Sequence, residues 1–423
     1  MKNYFKKKTL INKNLKFNNP IKKKKKKKIK LKKNNLKKKK KWISKKTHQK
    51  KTSPEIIPIK EEDLDPNRPK TLPDTSKMEY RYLGGSGLRV SILGYGNWAN
   101  NDNEQLTFDS IKLALEHGIN FFDTAEVYGN GKGEISIGNA LKKLNVPREK
   151  IVVSTKIYKS GDDPNDTFLS RKHIIEGVRN SLKKLNLEYI DIVYCHRYDM
   201  RTPLEETCRA MNTLIKKGKC FYWGTSNWSA SQIMEAYKIC DMFNLEKPIA
   251  EQVQYSMLKR RKIENEYRDL FLKYKMGTTT FSPLYSGVLS GKYLKEIPRD
   301  SRYLTNREAT PVLKVYFDNK HALDIKINKI INLTTKKLNC SLAQLAIAWV
   351  ICNPDVSTCI LGATKVSQLE ENLKALEIYK NIDNETWIEI ENILKNVPKG
   401  ENDFRNREIL PSRRNIVLGI DYK

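Results

Sequence analysis

From about residue 90 onward, short apolar runs rich in β-branched and aromatic residues alternate with longer stretches whose apolar positions recur every three to four residues. Eight short runs read as strands: 91–93, 120–123, 151–155, 190–195, 220–224, 250–253, 277–281 and 357–361. Eight amphipathic stretches read as helices: 104–117, 134–144, 171–185, 204–217, 230–243, 264–275, 326–338 and 342–352. Boundary residues agree with this parse. Gly118 and Gly218 follow helices, Ser170 and Ser229 stand where caps are needed, and Pro354 ends the last stretch. Ahead of the first unit, residues 80–83 and 88–90 flank Gly84 and Gly85 as two arms of a hairpin that closes the floor. Eight βα units in sequence predict an α/β fold, a (β/α)8 TIM barrel with an N-terminal capping β-hairpin. Residues 286–325 form a long excursion after the seventh strand, a candidate functional loop.

The pattern does not extend to the N-terminus. Residues 1–77 carry 29 Lys and Arg against 6 Asp and Glu, so most of the chain's formal charge of +32 belongs there and only +9 to the remainder. A stretch so charged and so poor in apolar area cannot offset its ordering entropy, and a disordered basic leader with a proline-containing linker is expected. The expected division is therefore a Lys/Asn-rich leader and linker at 1–77, one barrel at 78–400 and a tail at 401–423. The seven cysteines form no C-x-x-C pair and are odd in number, which points away from a zinc site or a disulfide framework and toward a reducing compartment. No apolar run approaches the ~20 residues that cross a bilayer, and the leader lacks the apolar core of a secretory signal. A cytoplasmic location is expected, with targeting through the basic leader as the alternative.

Barrels of this kind build their sites at the C-terminal ends of the strands. Asp123 ends the second strand with Tyr128 five residues on, Lys156 follows the third, and His196 follows the fourth. Each alone has an ordinary structural reading: a cap, a loop aromatic, a lysine reaching solvent, a satisfied core histidine. Together they make a proton donor. The Lys156 ammonium would lower the pKa of the Tyr128 hydroxyl, Asp123 would keep Lys156 charged, and neutral His196 would hydrogen-bond a carbonyl oxygen beside the tyrosine. With no nucleophile or metal among them, a bound hydride donor is implied.

These residues lie in FDTAEVYG (122–129), STKI (154–157) and LNLEYIDIVYCHRYD (185–199). With YWGTSNWS (222–229) and LGATKVSQLEENLKAL (361–376), the chain resembles the aldo-keto reductases from about Tyr80 to Pro398. Within that superfamily SRKHIIEGVRNSLKKL, EIPRDSR and AQLAIAWV are most similar to the beta subunits of voltage-gated potassium channels and their bacterial and plant relatives. The resemblance implies Asp123, Tyr128, Lys156 and His196 as a catalytic tetrad. It also implies NADPH as cofactor, and an oxidoreductase acting on CH-OH groups that reduces aldehydes or ketones. Channel beta subunits carry Asn at the fourth tetrad position; His196 stands there in this chain, which argues for an enzyme. The alternative is a redox-sensing regulatory subunit, a homotetramer docked on a membrane channel.

The resemblance also carries over cofactor contacts. Asn97, Trp98, Ser226, Asn227 and Gln252 would hold the nicotinamide. Phe281, Ser282, Pro283, Leu284, Tyr285 and Ser286 would track the pyrophosphate and its ribose, although Tyr285 replaces a residue that is commonly small there. Lys292 and Arg302 would reach the pyrophosphate and adenosine end. Gly362, Thr364, Gln368, Glu371 and Asn372 would complete the adenosine pocket at a helix N-terminus suited to anions. Read without the family, that last segment is only a strand, a turn and a helix that Thr364 is placed to cap. Trp98, Tyr158, Tyr198 and Trp228 are candidate substrate liners favouring aromatic or apolar carbonyls. The lysine runs at 22–28 and 37–41 suit anionic lipid or nucleic acid, or are a low-complexity insertion without a binding role.

Overall fold

A computed structural model describes residues 78–100, 103–299, 301, 304, 310–400, 402–403, 408–409 and 411–419. The leader and linker expected at 1–77, Arg302, and part of the 401–423 tail lie outside the described residues. Eight parallel strands close into a barrel: β3 (Leu93–Gly96), β4 (Phe121–Asp123), β5 (Val152–Ile157), β6 (Ile190–Cys195), β7 (Cys220–Ser226), β8 (Ala250–Gln254), β9 (Gly277–Phe281) and β10 (Thr358–Leu361). They follow one another around the wall in chain order, and β10 pairs with both β3 and β9 to shut the ring.

An antiparallel hairpin of β1 (Tyr80–Tyr82) and β2 (Arg89–Ser91) precedes the barrel. Leu83 and Val90 from this hairpin are fully buried in one cluster with Phe121, Val152, Ile192, Tyr194, Ala250 and Ile360, which plugs the barrel interior from below. Gly84, at φ 60°, is pressed against the start of β9, where a side chain would sit 2.3 Å from the Gly277 nitrogen. A larger residue there would push the plug out of the floor. The main core fills the layer between the wall and the helices, and Trp223, Trp228 and Trp349 are fully buried in it.

Ser170 caps helix Arg171–Leu185 by accepting from the His173 amide, and Ser229 closes a reciprocal capping box with Gln232 on helix Ala230–Phe243, as expected. Three boundaries differ from expectation. The first barrel strand is Leu93–Gly96 rather than 91–93, because Ser91 still belongs to the hairpin, pairing with Tyr80, and the chain turns at Ile92. The stretch at 264–275 is split into a π-turn, Lys262–Glu266, and helix Arg268–Tyr274. Among the described residues of the 286–325 excursion are helix Thr310–Asp318 and the start of helix Lys320–Leu333, so this described part is helical rather than loop.

Helix Arg413–Leu418 packs back on the barrel through fully buried Arg414, which donates to the Trp349 carbonyl at 2.8 Å and stacks on that indole at 3.9 Å. Among the described residues, no helix is long and apolar enough to cross a membrane.

Candidate active site

The C-terminal ends of the strands open into a cleft of about 1000 Å³. Asp123, the last residue of β4, is buried and collects three donors. Lys156 Nζ lies 2.5 Å from Oδ2, while Ser154 Oγ at 2.7 Å and Gln252 Nε2 at 2.9 Å both reach Oδ1. Lys156 lies within β5 rather than beyond its end, fully buried, and also donates to the Thr124 carbonyl at 2.7 Å and the Tyr128 hydroxyl at 3.1 Å.

Tyr128 opens a tight turn whose next three residues all have positive φ, reversing the chain so that its ring faces back over the barrel. The ring lies 4.7 Å from Lys156 Nζ and meets His196 edge to face at 5.9 Å. Gly133, at the start of the following helix, leaves room for this turn, since a side chain there would come within 2.9 Å of the Tyr128 Cβ. All four expected tetrad residues are thus brought together at one end of the cleft.

The electrostatics differ from the sequence expectation at one residue. Burial raises the Tyr128 pKa, the Lys156 ammonium pulls the other way, and burial prevails, so the hydroxyl titrates above its ordinary value instead of below it. The correction has a physical cause invisible in the sequence: the phenolate would lose more solvation than one cation returns. Burial also opposes the charge on Lys156, but Asp123 and Tyr128 more than compensate and its pKa is raised. His196 is held well below its ordinary value by burial and by the cations Lys156 and Arg197. At neutral pH the site therefore presents a charged lysine, a protonated tyrosine and a neutral histidine.

The strands divide the cleft's rim. Trp98, Tyr128, Tyr158, His196 and Arg197 follow β3 to β6, whereas Ser226, Asn227, Phe281, Ser282, Pro283, Leu284, Ser286 and Lys292 belong to the β7–β9 side. Gly362, Thr364, Gln368, Glu371 and Asn372 follow β10 and also line the cleft, beside the N-terminus of helix Val366–Leu373. Lys365, not Thr364, is the N-cap residue of that helix; the Thr364 hydroxyl donates to Gln368 Oε1 at 3.1 Å. Two expected cofactor residues do not line the cleft. Asn97 is fully buried and its amide donates to the Gly133 carbonyl at 2.7 Å, tying β3 to helix Lys132–Lys143. Tyr285 is buried behind the cleft wall. Tyr198 and Trp228 are absent from the lining too, packed on each other at 4.8 Å.

The structure adds residues that the sequence reading did not single out. Lys159 and Arg197 line the cleft two residues past the ends of β5 and β6, and that nearness to a strand end was the available signal. Fully buried Glu251, one residue before Gln252, accepts from the Thr225 hydroxyl at 2.5 Å, the Trp228 amide at 3.1 Å and Tyr267 at 3.3 Å. Burial raises its pKa to about 8. It braces the β7–β8 part of the rim from behind.

The donor set on the β7–β10 side consists of hydroxyls, amides and one ammonium beside a helix N-terminus, a composition suited to a phosphate-bearing ligand. A family model described as "Aldo/keto reductase family" matches residues 92–395. Curated relatives include a "Probable voltage-gated potassium channel subunit beta" of Oryza sativa subsp. japonica, 46% identical over 335 residues, which covers 78% of this chain and 100% of the relative. A protein of the same name from Arabidopsis thaliana is 45% identical, with the same coverage.

Proposed function

We propose that this chain, which belongs to the aldo/keto reductase family and is thereby an oxidoreductase, uses NADPH to reduce aldehydes or ketones to alcohols. The observation that carries this reading is the buried chain from Asp123 to Lys156 to Tyr128, ending on a protonated hydroxyl beside neutral His196. NADPH, when bound, supplies the hydride. Gln252, Ser226 and Asn227 would hold its amide end, Ser282, Ser286 and Lys292 its phosphates, and Gly362, Thr364, Gln368 and Asn372 its adenosine. Tyr128 delivers the proton to the carbonyl oxygen, and Lys156 then stabilises the charge left on the tyrosine oxygen. His196 hydrogen-bonds the same carbonyl oxygen, orienting it, and its neutrality spares the site a second cation beside Lys156. Asp123 holds Lys156 in place. In this reading NADPH is preferred to NADH, its adenosine end being answered by Lys292, which lines the cleft, and by exposed Lys365 at the start of helix Val366–Leu373; Arg302, also expected there, is outside the described residues. Full-length protein mixed with NADPH and a panel of reactive aldehydes should lose NADPH absorbance with formation of alcohol. Tight NADPH binding without turnover on any carbonyl would refute the reading.

The names of the relatives favour a second role, association with a potassium channel or another membrane protein as a redox-sensing subunit. Native mass spectrometry reporting a tetramer that retains nucleotide and captures a channel segment would support it, whereas a monomer with rapid turnover would count against it.

A further inference from the structure

The β3–β6 half of the rim, where Tyr128 and His196 meet, carries an uneven balance of charge. Its cleft-lining cations are Lys159 and Arg197, and its one lining carboxylate, Asp123, is engaged by Lys156, Ser154 and Gln252. Lys159 is answered by exposed Asp162 at 2.8 Å. Arg197 pairs with no carboxylate among the described residues; Nη1 donates to its own neighbour's carbonyl, that of His196, at 2.5 Å, and the residue lines the cleft. Following His196 directly and lining the cleft, it is near enough for its charge to be felt at Tyr128, His196 and Tyr158, and at Lys262 as well. The other lining carboxylate, Glu371, follows β10, diametrically across an eight-stranded ring from β6, and the phosphate-suited groups lie on the β7–β10 side. A cation at the β6 end is therefore placed for something other than a dinucleotide.

We infer that Arg197 selects carbonyl substrates that bear a carboxylate, gripping the carboxylate at the cleft mouth while the carbonyl lies between Tyr128 and His196. This rests on the reductase reading and names the substrate class of that same site. The planar guanidinium suits a carboxylate in a two-point grip, and Trp98 and Tyr158, which line the same half of the cleft, offer apolar surface to the carbon chain between the two groups.

The test compares 4-oxobutanoate with its methyl ester, which share a skeleton and differ in charge, using full-length protein and NADPH. The expected ratio of kcat/KM is about tenfold or more in favour of the acid. That ratio should shrink as ionic strength rises, because the grip is partly exposed. Arg197→Gln should bring the ratio toward one, and Arg197→Lys should restore part of it. Calorimetric binding of 4-hydroxybutanoate should weaken in Arg197→Gln in parallel, a readout independent of turnover. A ratio near one in the unaltered protein, or an unchanged ratio in Arg197→Gln, would overturn the inference and leave the reductase reading standing. Failure to reduce either compound, or any other aldehyde, would remove both.

Discussion

Lys156→Met removes a buried cation from a carboxylate that is only 3% exposed where it lines the cleft. Asp123 then keeps Ser154 and Gln252 as donors at 2.7 and 2.9 Å but loses the 2.5 Å ion pair. Breaking a buried pair from one side costs about 3–5 kcal/mol, because the remaining charge stays desolvated. The two surviving hydrogen bonds place this case near the lower end, at about 3 kcal/mol. Asp123→Asn in the Lys156→Met background removes the orphaned charge while Oδ1 can still accept from Ser154, so the double variant should regain most of that loss. The coupling between the sites should be on the order of 2–3 kcal/mol. Urea unfolding of the four proteins, with the slope checked to be constant across them, measures it. If the double variant loses as much as the two single variants added together, the pair is not coupled and the desolvation argument for this site is wrong.

Tyr128→Phe should lower turnover by about 10²–10⁴, the range of a lost general acid, while calorimetry shows NADPH affinity nearly unchanged; retention of full carbonyl-reductase activity would overturn the mechanism. In the unaltered enzyme kcat should stay level through the ordinary histidine range, because His196 remains neutral there, and should fall only as pH passes the raised value of Tyr128, above 10. An inflection near pH 6.5 that disappears in His196→Asn would contradict this. Glu251, with its pKa raised to about 8, holds a proton in the folded state that the unfolded chain has released above about 4.5. Stability should therefore fall as pH rises between those values, with a slope of up to about 1.4 kcal/mol per pH unit from this group. Glu251→Gln should flatten that dependence, and an unchanged slope would show that the carboxyl ionises freely in the fold.

The barrel was legible because its periodicities are long and repeated. Strand 190–195 and helices 171–185 and 230–243 coincide with the observed elements, since each is bounded by residues with a definite local role, such as Ser170 or Ser229. Where local signals were weak, boundaries moved. Ser91 reads equally as the end of a hairpin and the start of a barrel strand, and only pairing with Tyr80 decides between them. The convergence of Asp123, Tyr128, Lys156 and His196 was legible because the rule that sites follow strands needs no tertiary detail. Asn97 and Tyr285 were not, because a residue after a strand can turn inward or outward, and the Gly133 carbonyl that captures Asn97 comes from a helix 36 residues away. Arg414 carried no local signal either, its role existing only once Trp349 and the last helix are brought together.

The same limit explains the sign of the Tyr128 shift. A sequence shows which charges are near, and Lys156 is near; it does not show how much solvent the phenolate would forfeit, which here outweighs the ammonium. The outcome favours the chemistry proposed. A proton donor has to hold its proton at working pH, so a tyrosine whose pKa had fallen to neutrality would stand partly ionised and unable to donate. Burial keeps Tyr128 protonated, and Lys156 is of most use after transfer, when a negative oxygen has formed 3.1 Å from its nitrogen in a medium where that attraction is strong. The desolvation that forces His196 to stay neutral belongs to the same design. A site at the exposed rim, with the same four residues, would leave the histidine free to charge and the lysine largely screened, which is why the closed barrel floor and the packed strand ends would matter to the proposed reaction as much as the four residues themselves.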